Sequence, residues 1–410
     1  MTSIRISPQA QAKGFIPERL ARIAPFLQTN YIDTGRLPCA QLLVARGGEA
    51  IYECSIGHMG IEEKKPLIED AIFRIYSMTK PLTTAAFMIL VEEGRVALDE
   101  PVARYIPEFA DLEVYVSGKL GSFKTRPVDR PMIILDLLRH TAGLTYGFQA
   151  RTEVDAAYRA LDIGGVNRNG SLQTMIEALA TLPLDFSPGS AWNYSVSTDV
   201  LGYLLGKVSG QSFESFLQDR LLTPLGMNDT HFQLPKSKID RFTNCYVATQ
   251  EGGMKLVDAA ASSAYLAPAE MVSGGGGLVS TTSDYFAFCK MMNQGGHLDG
   301  KRYLGRKTIE LMQSNHLPGG KDIPQLSVSM FSEAIFNGIG FGLGFSVVTD
   351  PAKTMIPGSV GEAAWGGMAS TAFWLDPKED LFAIFMTQLM PSSTYQVRRQ
   401  LRTMVYSALW

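Results

Sequence analysis

The sequence contains few of the residues that build metal centres and disulfide frameworks. Among 410 residues there are four cysteines and five histidines, and neither type forms a close pair. Zinc sites and redox motifs need ligands at short, regular spacing, so we expect no metal and no cofactor. We expect the cysteines to be reduced, buried thiols; they are Cys39, Cys54, Cys245 and Cys289.

Excess charge of one sign and long apolar runs are also lacking. The net charge is −3 and the charged fraction 19%, which gives no reason to expect binding to nucleic acid or to an anionic membrane. No apolar run approaches the length of a membrane span, and residues 1–9 lack the apolar core of a secretory signal. We expect a cytoplasmic protein with a small-molecule partner, and the sequence does not predict its oligomeric state.

Two common catalytic and nucleotide-binding motifs are absent. There is no Gly-x-Ser-x-Gly, which excludes the nucleophile elbow of the α/β-hydrolases. The glycine run at residues 274–277 lacks the Gly-Lys-Ser/Thr ending of a phosphate loop. We expect those glycines to allow close backbone packing near a site or a tight turn.

What the sequence does contain is Ser77 and Lys80, three residues apart at the start of a predicted helix. Apolar residues recur at helical spacing from Leu82 to Leu90, and Gly94 is a stop signal. Residues three apart share a helix face, so the Lys80 amine can reach the Ser77 hydroxyl. If burial disfavours the ammonium, the lysine can accept the serine proton. The alternative at this stage is a serine N-cap followed by a surface lysine.

Strand patterns lie at both chain ends, and helical patterns lie between them. Strands are predicted at residues 41–46, 50–55, 73–75, 341–349, 363–365, 370–375 and 381–388. Helices are predicted at residues 16–34, 81–93, 133–139, 172–182, 197–209, 213–222, 283–292 and 394–409. Residues 115–131 and 251–277 are predicted to be turns and loops.

This order indicates an α/β (α+β) protein in which both chain ends meet in one antiparallel sheet. We expect a single domain, residues 1–410, with an α/β lobe at 1–76 and 284–410 and a mostly helical lobe at 77–283. The serine would lie at the seam between the lobes.

Three further positions invite a functional interpretation. Tyr194, after a turn, could pass protons, although a half-buried core tyrosine is the simpler explanation of this residue taken alone. His140 is better explained as a residue at a helix end that bonds the last carbonyls or the following loop. Gly366 and Gly367, after Trp365 on a predicted strand, suggest that a ligand or another backbone comes close.

In this order and at these separations, four motifs resemble the class C β-lactamase-like serine hydrolases, most closely the family VIII carboxylesterases. They are Ser77-Met78-Thr79-Lys80, Leu-Arg-His-Thr-Ala-Gly-Leu at 138–144, Trp192-Asn193-Tyr194-Ser195 and Trp365-Gly366-Gly367. The resemblance implies a serine β-lactamase/penicillin-binding-protein-like fold and an acyl-enzyme on Ser77. It also implies that Lys80 and Tyr194 share the general acid and base roles, with the division between them left open. The Ser77 and Met368 N–H groups would form the oxyanion hole.

Two departures from the β-lactamase pattern concern the substrate. Trp365 stands where those enzymes carry the lysine of Lys-Thr-Gly, and Val196 stands where their Tyr-Ala-Asn motif has asparagine. Together with Gly366 and Gly367, Trp365 is expected to line the substrate site, and both changes favour short-chain neutral esters. Tyr146 and residues 316–338, a candidate flap, are further candidates for the acyl pocket.

Four alternatives remain open at this stage. Within the enzymes they are a β-lactamase, a D-amino-acid peptidase or amidase, and an acyltransferase. Outside the enzymes, the alternative is an inert relative that binds a peptide.

Overall fold

The chain is built around one large antiparallel sheet. A computed structural model describes residues 3–165, 170–328 and 336–410. In those ranges the strands, in chain order, are β1 Ser3–Ile6, β2 Cys39–Arg46, β3 Glu49–Gly60, β4 Lys65–Pro66, β5 Phe73–Arg74, β6 Glu113–Ser117, β7 Lys124–Pro127, β8 Cys245–Ala248, β9 Met254–Asp258, β10 Val279–Ser280, β11 His297–Leu298, β12 Lys301–Arg302, β13 Ile339–Phe341, β14 Ser346–Val348, β15 Ala363–Gly366, β16 Ala372–Asp376, β17 Leu381–Met386 and β18 Leu389–Met390.

Most of the α-helices lie between the two groups of sheet strands, separated by loops, turns and short strands. The α-helices are α1 Pro17–Leu20, α2 Ile23–Leu27, α3 Thr79–Glu92, α4 Ile134–Leu138, α5 Glu153–Ala160, α6 Leu172–Ala180, α7 Ser197–Ser209, α8 Phe213–Leu217, α9 Thr282–Asn293, α10 Arg306–Met312, α11 Pro351–Thr354 and α12 Val397–Ser407. Short 3-10 turns and two π-helical turns connect several of them. No helix in the described ranges is both long and apolar enough to cross a bilayer.

The main sheet joins the two ends of the chain, as predicted. Its strand order is β1-β3-β2-β17-β16-β15-β14-β13, and β4 pairs with β3 outside this path. The N-terminal β2 pairs antiparallel with the C-terminal β17, with Leu43 opposite Ile384. The predicted hairpin at residues 41–55 is confirmed, and its turn glycines, Gly47 and Gly48, both have positive φ.

Alternate side chains of β17 cover opposite faces of the sheet. Phe382, Ile384 and Met386 lie in the core cluster that includes α9 and the middle helices. Ala383 and Phe385 lie in a second cluster with α1, α2 and α12. Because both faces are buried, the strand is apolar along its whole length.

Several helices occupy the middle of the chain, and the predicted helices at 172–182 and 197–209 are confirmed as α6 and α7. The predicted helix at 213–222 is α8 only as far as Leu217, and a π-helical turn, Gln218–Leu222, continues it. Within this region α3 packs against α7, and it is buried from Thr79 to Leu90. The division into lobes at residues 76 and 284 stays a prediction.

The predicted boundaries of one helix and one strand were wrong. Residues 16–34 form α1, α2 and a π-helical turn rather than one helix, because Pro25 has no N–H for a continuous helix and is accommodated in the first turn of α2. Residues 341–349 belong to the hairpin β13–β14, which turns at Gly344 with φ +89°.

The two predicted loop regions contain strands. Residues 113–127 form the hairpin β6–β7, and β9 pairs with β8 in a separate three-stranded sheet. All four residues of β7 are exposed, so this strand carries no apolar alternation that a sequence pattern could reveal. The four cysteines are buried and free, as predicted.

Candidate active site

Ser77 lies in a 3-10 turn, Tyr76–Met78, immediately before α3 rather than inside its first turn. Tyr76 has φ +42°, an uncommon conformation for a residue with a side chain. The Leu278 carbonyl accepts the Ile75 N–H at 3.2 Å, and the Tyr285 hydroxyl donates to the Met78 carbonyl at 3.0 Å. These bonds hold the strained turn from both sides.

Lys80 is fully buried beside Ser77. Its Nζ lies 3.4 Å from Ser77 Oγ, 3.1 Å from Tyr146 Oη and 2.7 Å from the Gly275 carbonyl oxygen. The alternative of a surface lysine after a capping serine is therefore wrong.

Tyr194 completes the group from the opposite side. Its hydroxyl donates to Ser77 Oγ at 2.6 Å, and Lys80 Nζ lies 4.6 Å from the centre of its ring. Neighbouring bonds fix its loop, since Asn193 donates from Nδ2 to the Leu144 carbonyl at 3.0 Å. The structure thus brings together the three side chains that the sequence singled out.

His140 supports the tyrosine without touching Ser77. Its Nδ1 lies 3.2 Å from Ser195 Oγ, and its ring centre lies 5.0 Å from that of Tyr194. Burial, followed by the nearby charge of Lys80, lowers the pKa of His140 well below its usual value. It is therefore a neutral packing residue. Its side-chain partner is Ser195, in the segment just before α7, rather than a helix carbonyl or the loop that follows α4.

Strand β15 runs directly past the serine turn. A Cβ on Gly367 would lie 2.4 Å from the Ile75 carbonyl oxygen, so the predicted close approach of another backbone is confirmed at this glycine. Trp365 is half-buried, and its ring centre lies 5.5 Å from that of Tyr194. Met368 follows the strand and lines the same cavity as Ser77.

The C-terminal helix α12 adds a residue that the sequence patterns did not indicate. Arg398 donates from Nη2 to the carbonyl oxygens of Gly367 at 2.8 Å and Thr371 at 2.6 Å. Burial, followed by repulsion from Arg402, lowers the pKa of Arg398 to about 9. No local motif distinguishes this arginine from the others on its helix.

Two further residues beside this group come from distant segments. Tyr146, a candidate for the acyl pocket, lines the same cavity as Ser77 and also contacts Lys80. Asp199 in α7, which the sequence patterns did not single out, accepts the N–H of Gly275. The glycine run packs closely as predicted, since a Cβ on Gly274 would lie 2.6 Å from the Thr198 carbonyl oxygen.

A cavity of about 700 Å³ opens above Ser77. This volume is within the range of small-molecule sites. Its apolar wall includes Phe148, Met175 and Met271, and Trp365 and Gly366 line it as predicted. Of the candidate flap at 316–338, residues 329–335 lie outside the described residues.

A family profile described as Beta-lactamase matches residues 21–405. The chain belongs to the β-lactamase family. Among curated relatives of this β-lactamase-family protein, Protein Rv1367c of Mycobacterium tuberculosis (strain ATCC 25618 / H37Rv) is 34% identical over 362 residues, covering 88% of each chain. Esterase EstB of Burkholderia gladioli is 28% identical over 379 residues, covering 86% of each.

A solved structure supports the same family placement. It is that of "EstCE1, a hydrolase with promiscuous acyltransferase activity", and it superposes with a TM-score of 0.80 at 25% identity, covering 98% of this chain and all of that one. The β-lactamase-family protein is therefore a serine hydrolase with the β-lactamase/penicillin-binding-protein-like fold, close to the family VIII esterases.

Proposed function

We propose that the protein is a carboxylesterase that hydrolyses short-chain neutral esters through an acyl-enzyme on Ser77. The observation that carries the proposal is the convergence of Ser77 with a buried lysine and a tyrosine hydroxyl, at 3.4 and 2.6 Å. An ordinary serine is a weak nucleophile, and an adjacent base is what activates it. The names of EstB and EstCE1 support ester hydrolysis.

In the proposed reaction, Ser77 Oγ bonds to the ester carbonyl carbon. The carbonyl oxygen becomes an oxyanion that accepts hydrogen bonds from the Ser77 and Met368 N–H groups. The bond to the leaving alkoxide then breaks, and the serine proton reaches that alkoxide through Lys80 and Tyr194. Water attacks the acyl-enzyme, releases the acid and returns a proton to Ser77.

Arg398 contributes to this oxyanion hole through the peptide between Gly367 and Met368. The carbonyl that Arg398 binds and the N–H of Met368 belong to the same trans peptide unit and point in opposite directions. Donation from a cation to that carbonyl fixes the peptide plane and polarises the N–H. Arg398 is therefore a positioning residue in the proposed mechanism.

The preference for neutral substrates rests on the wall beside Tyr194. Trp365 supplies an aromatic surface at the position where the β-lactamase motif has a lysine. Val196 has no group that bonds an amide, but its side chain is fully buried, so the preference rests on Trp365. Arg402 lines the cavity but is paired with the Glu362 carboxylate at 2.9 Å, so its charge is compensated.

The test compares p-nitrophenyl butyrate with nitrocefin. We expect a burst of p-nitrophenol followed by steady turnover of the ester, slow or no hydrolysis of nitrocefin, and loss of both phases in Ser77→Ala. Faster hydrolysis of nitrocefin would favour a β-lactamase over the esterase. A folded protein without any turnover would favour the inert binding relative.

Acyl transfer is a second candidate activity. EstCE1 is described as a hydrolase that also has acyltransferase activity, and the same acyl-enzyme can be attacked by water or by an alcohol. The apolar cavity provides room for an alcohol beside the acyl group. Adding 1-butanol to the ester assay measures the ratio of butyl ester to acid, and a ratio no higher than the solution composition predicts would argue against a transferase.

A further inference from the structure

Lys80 has two hydrogen-bond partners besides Ser77. They are the Gly275 carbonyl oxygen at 2.7 Å and the Tyr146 hydroxyl at 3.1 Å, both closer to Nζ than Ser77 Oγ is at 3.4 Å. Both partners meet one buried carboxylate, Asp199, in the first turn of α7. A single acidic side chain therefore lies behind the proposed base.

The contacts of Asp199 fix the direction of these bonds. Its Oδ1 accepts the Gly275 N–H at 3.0 Å and the Ser273 hydroxyl at 2.5 Å. Its other oxygen faces Gly275, where a Cβ would lie 2.6 Å from Oδ2 and 3.0 Å from Tyr146 Oη. Burial, followed by the charge of Asp199, raises the pKa of Tyr146 well above its usual value.

We propose that Asp199 orients Lys80 as a base, acting through Tyr146 and the Gly275 peptide. The inference rests on the proposed function, in which Lys80 takes the Ser77 proton. A neutral lysine amine has two N–H groups and one lone pair. Lys80 Nζ donates to the Tyr146 oxygen. In the proposal the nearby Asp199 carboxylate attracts the Tyr146 proton, so this oxygen accepts from Lys80 and does not donate to it.

The Gly275 carbonyl can also only accept, so the two N–H groups of the neutral amine have fixed partners. The lone pair is then left facing Ser77 Oγ. A base held in the correct orientation by a third group is the general arrangement of activated nucleophiles. Asp199 does not contact Ser77, and it is therefore a positioning residue rather than a catalytic one.

Asp199→Asn tests the proposal because asparagine has the same size and shape as aspartate, but its amide group donates a hydrogen bond to Tyr146 where the carboxylate accepts one. The Gly275 N–H can only donate, so the asparagine oxygen takes the place of Oδ1 and its amide group faces Tyr146. That amide donates to the Tyr146 oxygen, whose proton then turns to the lone pair of Lys80 and competes with Ser77. We expect kcat/KM for p-nitrophenyl butyrate to fall about 100-fold, the lower end of what a general base contributes.

The second variant removes the competing hydroxyl. Tyr146→Phe alone deletes one ordinary acceptor of Lys80, so we expect kcat/KM within about tenfold of wild type. In Asp199→Asn/Tyr146→Phe no hydroxyl is left to occupy the lone pair, and we expect the double variant to be about tenfold more active than Asp199→Asn. A purely structural role of Asp199 predicts the opposite, a double variant no better than the single one.

Asp284→Asn is the matched control. Asp284 is another buried aspartate, and its Oδ2 accepts one backbone N–H, from Asp229 at 2.7 Å, and one hydroxyl, from Thr230 at 2.8 Å. It is not among the described residues that line the cavity. We expect its kcat/KM to stay within threefold of wild type, so that a general effect of removing a buried charge can be separated from the effect at Lys80.

Three results would overturn the proposal. The first is a kcat/KM of Asp199→Asn within threefold of the wild-type value, and the second is a double variant whose kcat/KM is no higher than that of Asp199→Asn. The third applies if Asp199→Asn does not fold: it is a folded Tyr146→Phe variant whose kcat/KM is more than 100-fold below that of wild type. In each case an active wild type that Ser77→Ala inactivates would leave the esterase proposal standing. A wild type without turnover would overturn both.

Discussion

Tyr194→Phe is the variant whose effect follows most directly from the geometry. The change removes the hydroxyl that lies 2.6 Å from Ser77 Oγ, while the ring keeps its contacts with Lys80, His140 and Trp365. The lost hydrogen bond costs about 1 kcal/mol of stability. If Tyr194 transfers protons, the loss from the transition state is about 3 to 5 kcal/mol, or 10² to 10⁴ in kcat/KM.

The leaving group separates proton donation from simple positioning by Tyr194. Ethoxide needs a proton as it leaves, whereas p-nitrophenolate does not. We therefore expect Tyr194→Phe to lose at least tenfold more activity on ethyl butyrate than on p-nitrophenyl butyrate, measured by pH-stat and by absorbance. Equal losses on the two esters would refute donation to the leaving group, and losses below tenfold on both would refute any transfer through Tyr194.

A tyrosine away from the site provides the control for this experiment. Tyr203 in α7 is also buried, and its hydroxyl donates to Gln173. Tyr203→Phe removes one hydroxyl from one buried ring, so its thermal unfolding should resemble that of Tyr194→Phe. Its kcat/KM should stay at the wild-type value, since Gln173 and Tyr203 take no part in the proposed chemistry.

Three other predictions concern residues around the site. Gly367→Ala should lower kcat/KM at least tenfold in the ester assay, because the new Cβ would lie 2.4 Å from the Ile75 carbonyl and displace β15 from the serine turn. Arg398→Met should lower kcat with little change in KM, since the guanidinium holds the Gly367 carbonyl behind the proposed oxyanion hole; a change in KM alone would contradict this role. His140 should lower the free energy of unfolding as pH drops below about 6.5, because the unfolded chain binds a proton that the buried imidazole does not. Its own contribution to the slope is at most about 1.4 kcal/mol per pH unit, and His140→Gln should remove that contribution in chemical denaturation, while His231 and His316, whose pKa values burial also lowers, keep theirs.

Much of the fold could be predicted because its strands and helices have recognisable local patterns of apolar residues. The paired strands of the sheet and the helices of the middle region alternate or repeat over enough residues to be recognised. The exposed strand β7 has no such pattern, since pairing with β6 rather than burial keeps it extended. Pro25 fits only in the first turn of a helix, so the helix must break before it and begin again at Ile23. The spacing of the apolar residues around Pro25 did not reveal this break.

Some residues of the candidate site could likewise be predicted from the sequence, and others could not. Ser77 and Lys80 are three residues apart, and Tyr194 lies in a short motif, so their residue types and spacing are enough to indicate chemistry. Asp199 and Arg398 could not be found in this way. Asp199 meets Gly275 across 76 residues of sequence, and a lone aspartate in a first helical turn is more simply explained by the helix dipole.

The proposed mechanism depends most on Ser77 being the residue that becomes acylated. Mass spectrometry after treatment with a fluorophosphonate tests this directly, by intact mass and by fragmentation of the labelled peptide. We expect one adduct per chain, located on Ser77, and no adduct in Ser77→Ala under the same conditions. An adduct on a different residue, or equal labelling of Ser77→Ala, would contradict the central claim.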